Sequence, residues 1–213
     1  MEKKNSWNLG IAVGLVALPT WGLAQVSVPQ QPNIIIIVAD DLGYGDLSCY
    51  GATTLQTPGM DRLASEGIRF TQGHCTAATS TPSRYSLLTG MYPWSNPDAK
   101  ILPGNAALII GTEQLTLPKV LKRAGYVTGS VGKWHLGLGD GSVDWNEQIY
   151  PGAHEVGYDY SFIQAATNDR VPCIFIENGK GVGLEKNDPL YVSYRKNFEG
   201  EPTGKDNPEL LRM

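Results

Sequence analysis

The run from Ser80 to Arg84 brings a hydroxyl, a proline and a guanidinium close together in the sequence. Pro82 favours a helix start, because proline fits the first turn, and helix N-termini attract anions through free N–H groups and the helix dipole. Arg84 adds a planar fork of donors that suits two oxygens of a sulfate or phosphate. From the residues alone Ser80 is either a nucleophile or an N-cap, and the cap is favoured because serine is a preferred cap residue.

A second group of candidate residues is the acidic pair Asp40-Asp41, which follows Ala39 at the end of the β-branched run Asn33–Val38. The carboxyl ends of buried parallel strands are where α/β proteins place ligands. Two adjacent carboxylates are costly there without a compensating cation, and their hard oxygens favour Ca²⁺ or Mg²⁺. The alternative is that the two aspartates cap the Gly-rich turn that follows them.

Lys133 and His135 form the third group of candidates. They lie two residues apart at the end of a predicted strand, so their side chains point to the same side. From the residues alone, a surface lysine and a histidine satisfied within the core are the alternative.

The elements that must position these residues indicate an α/β fold. Continuous β-branched runs suit strands buried on both faces, and Thr-Pro and Gly mark helix starts and ends. The predicted order of strands and helices favours a doubly wound mixed sheet. We predict strands at 33–38, 68–71, 126–131 and 171–176 and a hairpin turn at 177–180. We predict helices that open at Thr57-Pro58 and stop at Gly67, begin near Pro82 and end at Gly90, and run from about Thr116 to Ala124, with the start of a further helix at 205–213. For Asp169 and Arg170, a surface ion pair is the default expectation, and a contact with substrate is the alternative.

The composition is that of a globular protein: 41% of the 213 residues are hydrophobic and 18% are charged. The net charge of −4 gives no electrostatic support for a nucleic-acid partner. Three cysteines at wide spacing, Cys49, Cys75 and Cys173, do not form a disulfide framework. One bridge is compatible with an oxidising compartment, but three small buried side chains are the simpler interpretation.

Residues 1–24 have the pattern of a signal peptide. Two lysines precede an apolar run, Leu9–Leu18, and small residues flank a cleavage position after Ala24. The apolar run is short for a membrane span, so we expect no stable membrane anchor, and a retained N-terminal anchor is the alternative. These features predict a periplasmic or secreted protein whose mature part is residues 25–213.

Three motifs follow one another along the chain in the same order as in one protein family, and they resemble the type I, formylglycine-dependent sulfatases. Residues 80–90 match the signature Cys/Ser-x-Pro-Ser-Arg-x-x-x-Leu-Thr-Gly at every fixed position. Residues 125–135 match Gly-Tyr-x-Thr-x-x-x-Gly-Lys-x-His, and residues 40–47 and 57–64 resemble the opening segment and first helix of the family. The resemblance covers residues 31 to about 180 and is of the arylsulfatase-like, serine type.

The resemblance implies an alkaline-phosphatase-like fold and sulfate ester hydrolysis, with sulfated small molecules or glycans as substrates. It implies that Ser80 is oxidised to formylglycine by a radical-SAM maturing enzyme. It implies catalytic roles for Ser80, Arg84, Lys133 and His135: Lys133 binds the sulfate and His135 holds the formylglycine hydroxyl. It also implies that Asp40, Asp41 and the Ser80-derived group ligate a divalent ion, usually calcium, with Mg²⁺ as the alternative.

The resemblance is incomplete, because the family's later metal pair and its further histidine and lysine find no match in this sequence. We therefore expect residues 25–213 to be the N-terminal part of a sulfatase catalytic domain, incomplete at its C-terminus and inactive alone. Two alternatives remain at this stage: a phosphate or phosphonate monoester hydrolase of the same superfamily, and a non-catalytic anion-binding relative in which Ser80 is unmodified.

Overall fold

A computed structural model describes residues 31–187, 189–194 and 199–201. The chain divides into two compact units, Met1–Ala39 and Asp40–Met213. The predicted signal peptide and the helix start predicted near the C-terminus lie outside the described residues. None of the helices in the described part of the chain is long and apolar enough to cross a membrane.

In the first unit, the described residues are 31–39, and they form neither helix nor strand. The predicted strand Asn33–Val38 is therefore wrong for this structure: its apolar side chains are exposed, Ile35 by 83%. A β-branched run favours an extended backbone, but a strand also needs a neighbouring strand to complete its hydrogen-bond ladder. Within the described residues, the segment joins no sheet.

Among the described residues of the second unit, three of the four α-helices begin and end near the predicted start and stop residues. Helix α1 spans Pro58–Glu66, α2 spans Ser80–Thr89, α3 spans Leu117–Arg123, and the short α4 spans Ala153–Val156. Proline stands in the first turn of α1 and α3, and Gly90 ends α2 in a left-handed conformation that glycine adopts without strain. Helix α2 begins two residues before Pro82, which makes Ser80 its first residue.

Four strands form one mixed sheet in the order β1-β2-β3-β4. They are β1 Gly129–Lys133, β2 Tyr160–Gln164, β3 Phe175–Glu177 and β4 Lys180–Gly181. Strand β1 is parallel to β2, whereas β2–β3 and β3–β4 are antiparallel. The mixed sheet and the hairpin turn confirm the predictions, although β1 begins three residues later than expected and β3 contains only residues 175 and 176 of the strand predicted at 171–176. The predicted strand at 68–71 is wrong: those residues are exposed and irregular, although Tyr50 donates to the Phe70 carbonyl.

The core lies around this sheet and α2. It includes Trp134, which lies between Lys133 and His135 in the sequence, and Tyr85 and Leu88 of α2. The fully buried aliphatic side chains include Ile110, Leu136, Val156, Ile163 and Ile176. Burial of these groups fixes the end of β1 against α2.

The three cysteines correct one prediction. All are free; Cys75 and Cys173 are exposed and Cys49 is partly buried. The expectation of three buried small side chains is therefore wrong. Cys173 lies in a polar loop, where its thiol contacts the carbonyls of Asn168 and Arg170.

Candidate active site

Ser80 lies where the N-terminus of α2 meets the segment that follows β1. Its Oγ accepts a hydrogen bond of 3.1 Å from Nε of Arg84, one helical turn away, and lies 3.0 Å from Nδ1 of His135. The N-cap position of α2 falls on Thr79. The cap interpretation of Ser80 is therefore wrong, because its hydroxyl contacts two site residues rather than capping the helix.

Arg84 connects the three groups of candidate residues. Besides Ser80, its guanidinium donates from Nη1 to the carbonyl oxygen of Lys133 at 2.7 Å. Its Nη2 lies 3.6 Å from Oδ1 of Asp40. The side chain is only 15% exposed, so these contacts hold a permanent positive charge beside the Ser80 hydroxyl.

Asp40 and Lys133 form an ion pair at the exposed side of the site. Nζ of Lys133 lies 2.5 Å from Oδ2 of Asp40. The hydrogen bond from Lys133, together with the charges of Lys133 and Arg84, holds the pKa of the Asp40 carboxyl below its usual value, although partial burial opposes this. Asp40 is therefore ionised at neutral pH, and the two cations compensate its charge.

His135 is the buried residue of the site, with 2% of its surface exposed. Its backbone is left-handed, with φ of 56°, and its carbonyl accepts a 2.8 Å bond from the Thr81 hydroxyl. Burial is the main cause that lowers the pKa of its imidazole, and the charges of Lys133, Arg170 and Arg84 act in the same direction. The ring is therefore neutral at pH 7.

The second aspartate of the pair occupies a different environment. Asp41 is exposed and has a left-handed backbone, with φ of 57°. It follows Asp40 directly, but none of the contacts described above involves it. The structure thus brings Asp40, Ser80, Arg84, Lys133 and His135 together and leaves Asp41 at the rim.

The oxygen atoms of Asp40, Asp41 and Ser80 are of the type that a hard cation prefers, but they are too few to complete its coordination shell. Carboxylate and hydroxyl oxygens are preferred by Ca²⁺, which takes six to eight oxygen ligands, and by Mg²⁺. Among the described residues, no group of three or more His, Cys, Asp or Glu lies close enough to hold a metal ion. Asp40, Asp41 and the Ser80 oxygen would therefore supply only part of a coordination shell.

Two residues near His135 were missed as site residues. Thr81 occupies a variable position of the first signature, and nothing in the sequence reveals that its hydroxyl bonds the His135 carbonyl. Arg170 was expected to form a surface ion pair; instead its Nη1 lies 2.9 Å from His135 Nε2 and donates to the Leu102 carbonyl at 3.0 Å. Contacts over such sequence distances follow from tertiary packing, which local patterns do not report.

The arrangement as a whole can bind an anion next to a potential nucleophile. Arg84 contacts the Ser80 hydroxyl and the backbone carbonyl of Lys133, whose ammonium pairs with Asp40, and Ser80 is at a helix N-terminus. His135 adds a neutral ring that contacts the same hydroxyl.

Comparison with known proteins agrees with this geometry. The sulfatase family model matches residues 32–180. An N-acetylgalactosamine-6-O-sulfatase of Bacteroides thetaiotaomicron is 57% identical over 185 residues, which are 86% of this chain and 36% of that protein.

Solved structures give the same result. One from a study of glycosaminoglycan metabolism by Bacteroides thetaiotaomicron has a TM-score of 0.82 and 58% identity, covering 86% of this chain and 38% of that one. Another, in complex with its substrate D-glucosamine-2-N,6-O-disulfate, has a TM-score of 0.55 and 37% identity, covering 72% of this chain and 28% of that one. The chain thus spans between about a quarter and two fifths of the length of these relatives. These matches confirm the alkaline-phosphatase-like fold of the sulfatases, and the chain belongs to the sulfatase family.

Proposed function

We propose that this chain carries the nucleophile half of a site that hydrolyses sulfate esters. The single observation that carries the proposal is the position of Ser80 Oγ, between Arg84 Nε at 3.1 Å and His135 Nδ1 at 3.0 Å. A hydroxyl held by a buried cation and a neutral imidazole at a helix N-terminus is placed to meet an anionic group.

The nucleophile would be formylglycine made from Ser80. Its hydrated aldehyde offers one hydroxyl that attacks sulfur with expulsion of the alcohol, and a second whose deprotonation returns the aldehyde and releases sulfate. Arg84 and Lys133 bind the sulfate oxygens, where negative charge is present throughout the reaction. His135 holds the Ser80-derived oxygen through Nδ1, and Thr81 holds the backbone of His135 in place.

We further propose that Asp40, Asp41 and the Ser80-derived oxygen contribute to a divalent cation site, for Ca²⁺ in the first place and Mg²⁺ in the second. Such an ion polarises sulfate oxygens and neutralises charge. The lowered pKa of Asp40 supports this role, since a carboxylate ligand must be ionised. The remaining ligands would come from residues other than those described.

The substrate class is proposed from the relatives. One acts on N-acetylgalactosamine 6-O-sulfate groups by its name, and another was solved with a disulfated glucosamine. A sulfated glycan is therefore the substrate that we propose. The signal-peptide pattern of residues 1–24 supports export to the periplasm or beyond, after modification of Ser80 by a radical-SAM maturing enzyme.

Mass spectrometry of Ser80 tests the nucleophile. Trypsin cleavage after Arg69 and Arg84 isolates Ser80 in the peptide of residues 70–84. Expression with a serine-type maturing enzyme should yield a peptide lighter by two hydrogens, and the Ser80→Ala variant should show no such change. An unchanged mass in the presence of an active maturing enzyme would contradict the proposal and favour a non-catalytic anion-binding protein.

Binding of inorganic sulfate tests the proposed anion site, and turnover of sulfate and phosphate esters tests the proposed reaction. Calorimetry with inorganic sulfate should show binding that Arg84→Met weakens by about tenfold or more, the loss of one charge-assisted pair. Arg62→Met is the matched control, because Arg62 lies on α1, where it forms an exposed ion pair with Glu66. Preference of the modified protein for a phosphate ester over the same sulfate ester would favour the superfamily alternative. Rapid sulfate-ester turnover by this chain alone would contradict the expectation that it is inactive by itself.

A further inference from the structure

The carboxylate of Asp40 lies against the two cationic groups that the site offers to a sulfate. Its Oδ2 is 2.5 Å from Nζ of Lys133, and its Oδ1 is 3.6 Å from Nη2 of Arg84. One carboxylate oxygen therefore faces each cation. The side chains of Lys133 and Arg84 are 20% and 15% exposed, whereas that of Asp40 is 39% exposed, so the anion is the more accessible partner in both contacts.

The guanidinium of Arg84 has one nitrogen that faces an anion. Its Nε donates to Ser80 Oγ at 3.1 Å, and its Nη1 donates to the carbonyl oxygen of Lys133 at 2.7 Å. Nη2 carries two hydrogens, and its 3.6 Å separation from Asp40 is a contact between charges rather than a hydrogen bond. A sulfate that takes hydrogens from Nη2 and from the Lys133 ammonium therefore approaches the position that the Asp40 carboxylate occupies.

Two anions at the same pair of cations oppose each other. Both need the same N–H donors, and their negative charges repel at such short range. A sulfate at Lys133 therefore meets this repulsion unless the Asp40 carboxylate moves away or another cation engages it.

We propose that Asp40 is an internal competitor of the sulfate group for Lys133 and Arg84, and that it lowers the affinity of the unmodified chain for this anion. The identity of the anion rests on the proposed function. In the proposed divalent cation site Asp40 is also a ligand, so a cation that holds this carboxylate would leave Lys133 and Arg84 to the sulfate. Loading of the cation and binding of the substrate would then favour each other.

Calorimetry with sodium sulfate and the full chain tests the proposal, in a buffer that contains EDTA so that no divalent cation engages Asp40. Asp40→Asn keeps the size of the side chain and removes its charge, and we expect it to bind sulfate about three- to tenfold more tightly than the unsubstituted chain. Asp41→Asn is the matched control, because it removes the same charge from the adjacent, exposed residue. It should change the affinity by less than about twofold, since salt screens an exposed charge.

An affinity of Asp40→Asn equal to or below that of the unsubstituted chain would overturn the proposal, because Asp40 would then position the two cations for sulfate rather than compete with it. An equal gain in Asp41→Asn would also overturn it, since general repulsion by the acidic pair would explain both gains. Sulfate binding by none of these proteins would contradict it as well. If Asp40→Asn does not fold, Asp40→Ser, which also lacks the carboxylate, replaces it.

The result is independent of the modification of Ser80. A chain that never acquires formylglycine would lose the proposed function and still show tighter sulfate binding in Asp40→Asn. An unchanged affinity of Asp40→Asn, with formylglycine confirmed by mass at Ser80, would remove this inference and leave the proposed function intact.

Discussion

The hydroxyl of Thr81 donates a 2.8 Å hydrogen bond to the carbonyl oxygen of His135, across 54 positions of sequence. Thr81 is completely buried and directly follows Ser80 in α2. His135 has a left-handed backbone, a conformation that costs a non-glycine residue about 1–3 kcal/mol. This bond therefore joins the start of α2 to the strained residue whose ring contacts the Ser80 oxygen.

Removing the Thr81 hydroxyl should destabilise the protein and disturb the position of His135. Thr81→Val keeps the shape but leaves the buried carbonyl without this donor, so we expect a loss of about 1–3 kcal/mol in the free energy of unfolding, measured with urea. Thr81→Ser keeps the hydroxyl and loses only a methyl group, and should cost less. Equal losses in both variants would show that packing of the methyl group, rather than the hydrogen bond, stabilises this junction.

Two backbone segments approach each other so closely at position 137 that only glycine fits there. Its φ is +77°, and a Cβ built on it would lie 1.8 Å from the carbonyl oxygen of Ala107. We therefore expect Gly137→Ala to lower the free energy of unfolding by at least about 2 kcal/mol, because the strain of the left-handed backbone adds to a backbone clash. Gly111→Ala is the matched control, since a Cβ there meets nothing within 4 Å. Thermal unfolding compares the two, and similar midpoints would contradict the expected clash.

The two family signatures predicted the site residues, whereas the chemistry of the single residues favoured an N-cap at Ser80 and, at Lys133 and His135, a surface lysine and a core histidine. Ser80, Arg84, Lys133 and His135 lie within two signatures, and the structure brings the four together because α2 and the end of β1 pack against each other. The helix at Ser80 was predicted slightly short, because Pro82 was read as its first residue although proline also fits the next positions of a first turn.

The features that the sequence could not predict depend on strand pairing and on contacts between residues that are far apart in the sequence. The apolar run 33–38 has strong strand preference, but preference does not supply the partner strand on which a ladder depends. Strand β2 lies in a stretch with little alternation and was missed, although its parallel pairing with β1 organises the sheet. Arg170 reaches His135 from 35 positions away, a contact that no local pattern indicates.

The lowered pKa of His135 predicts how stability depends on pH. Because the folded-state pKa lies below the unfolded value of 6.5, the unfolded chain takes up the proton first as the pH falls. The contribution of the neutral ring is fully present above pH 6.5 and decreases as the pH falls through the folded-state pKa. We expect an NMR titration midpoint for His135 below 6.5, and a shallower loss of stability in His135→Asn than in the unsubstituted protein over that range. A midpoint at or above 6.5 would contradict the effect of burial.

Asp159 is expected to titrate at about 2, well below the usual value of 3.8. The main cause is its contact with Lys122 of α3, whose Nζ lies 2.8 Å from Oδ1; the backbone and hydroxyl of Thr128 also donate to the carboxylate. Since the folded-state pKa is lowered, its stabilising contribution is present above pH 3.8 and is lost as the pH falls toward 2.

Substitution of Lys122 tests this junction between α3 and the segment before β2. In Lys122→Met, the carbon NMR titration of the Asp159 carboxyl should move upward toward 3.8, because the first cause of the shift is removed. The Thr128 donors remain, so the midpoint should stay below 3.8. Lys100→Met, a change at an exposed lysine, should leave the midpoint near 2. If Lys122→Met left the midpoint near 2, the Thr128 hydrogen bonds alone would account for the lowered pKa, and the ion pair would make no contribution to acid stability.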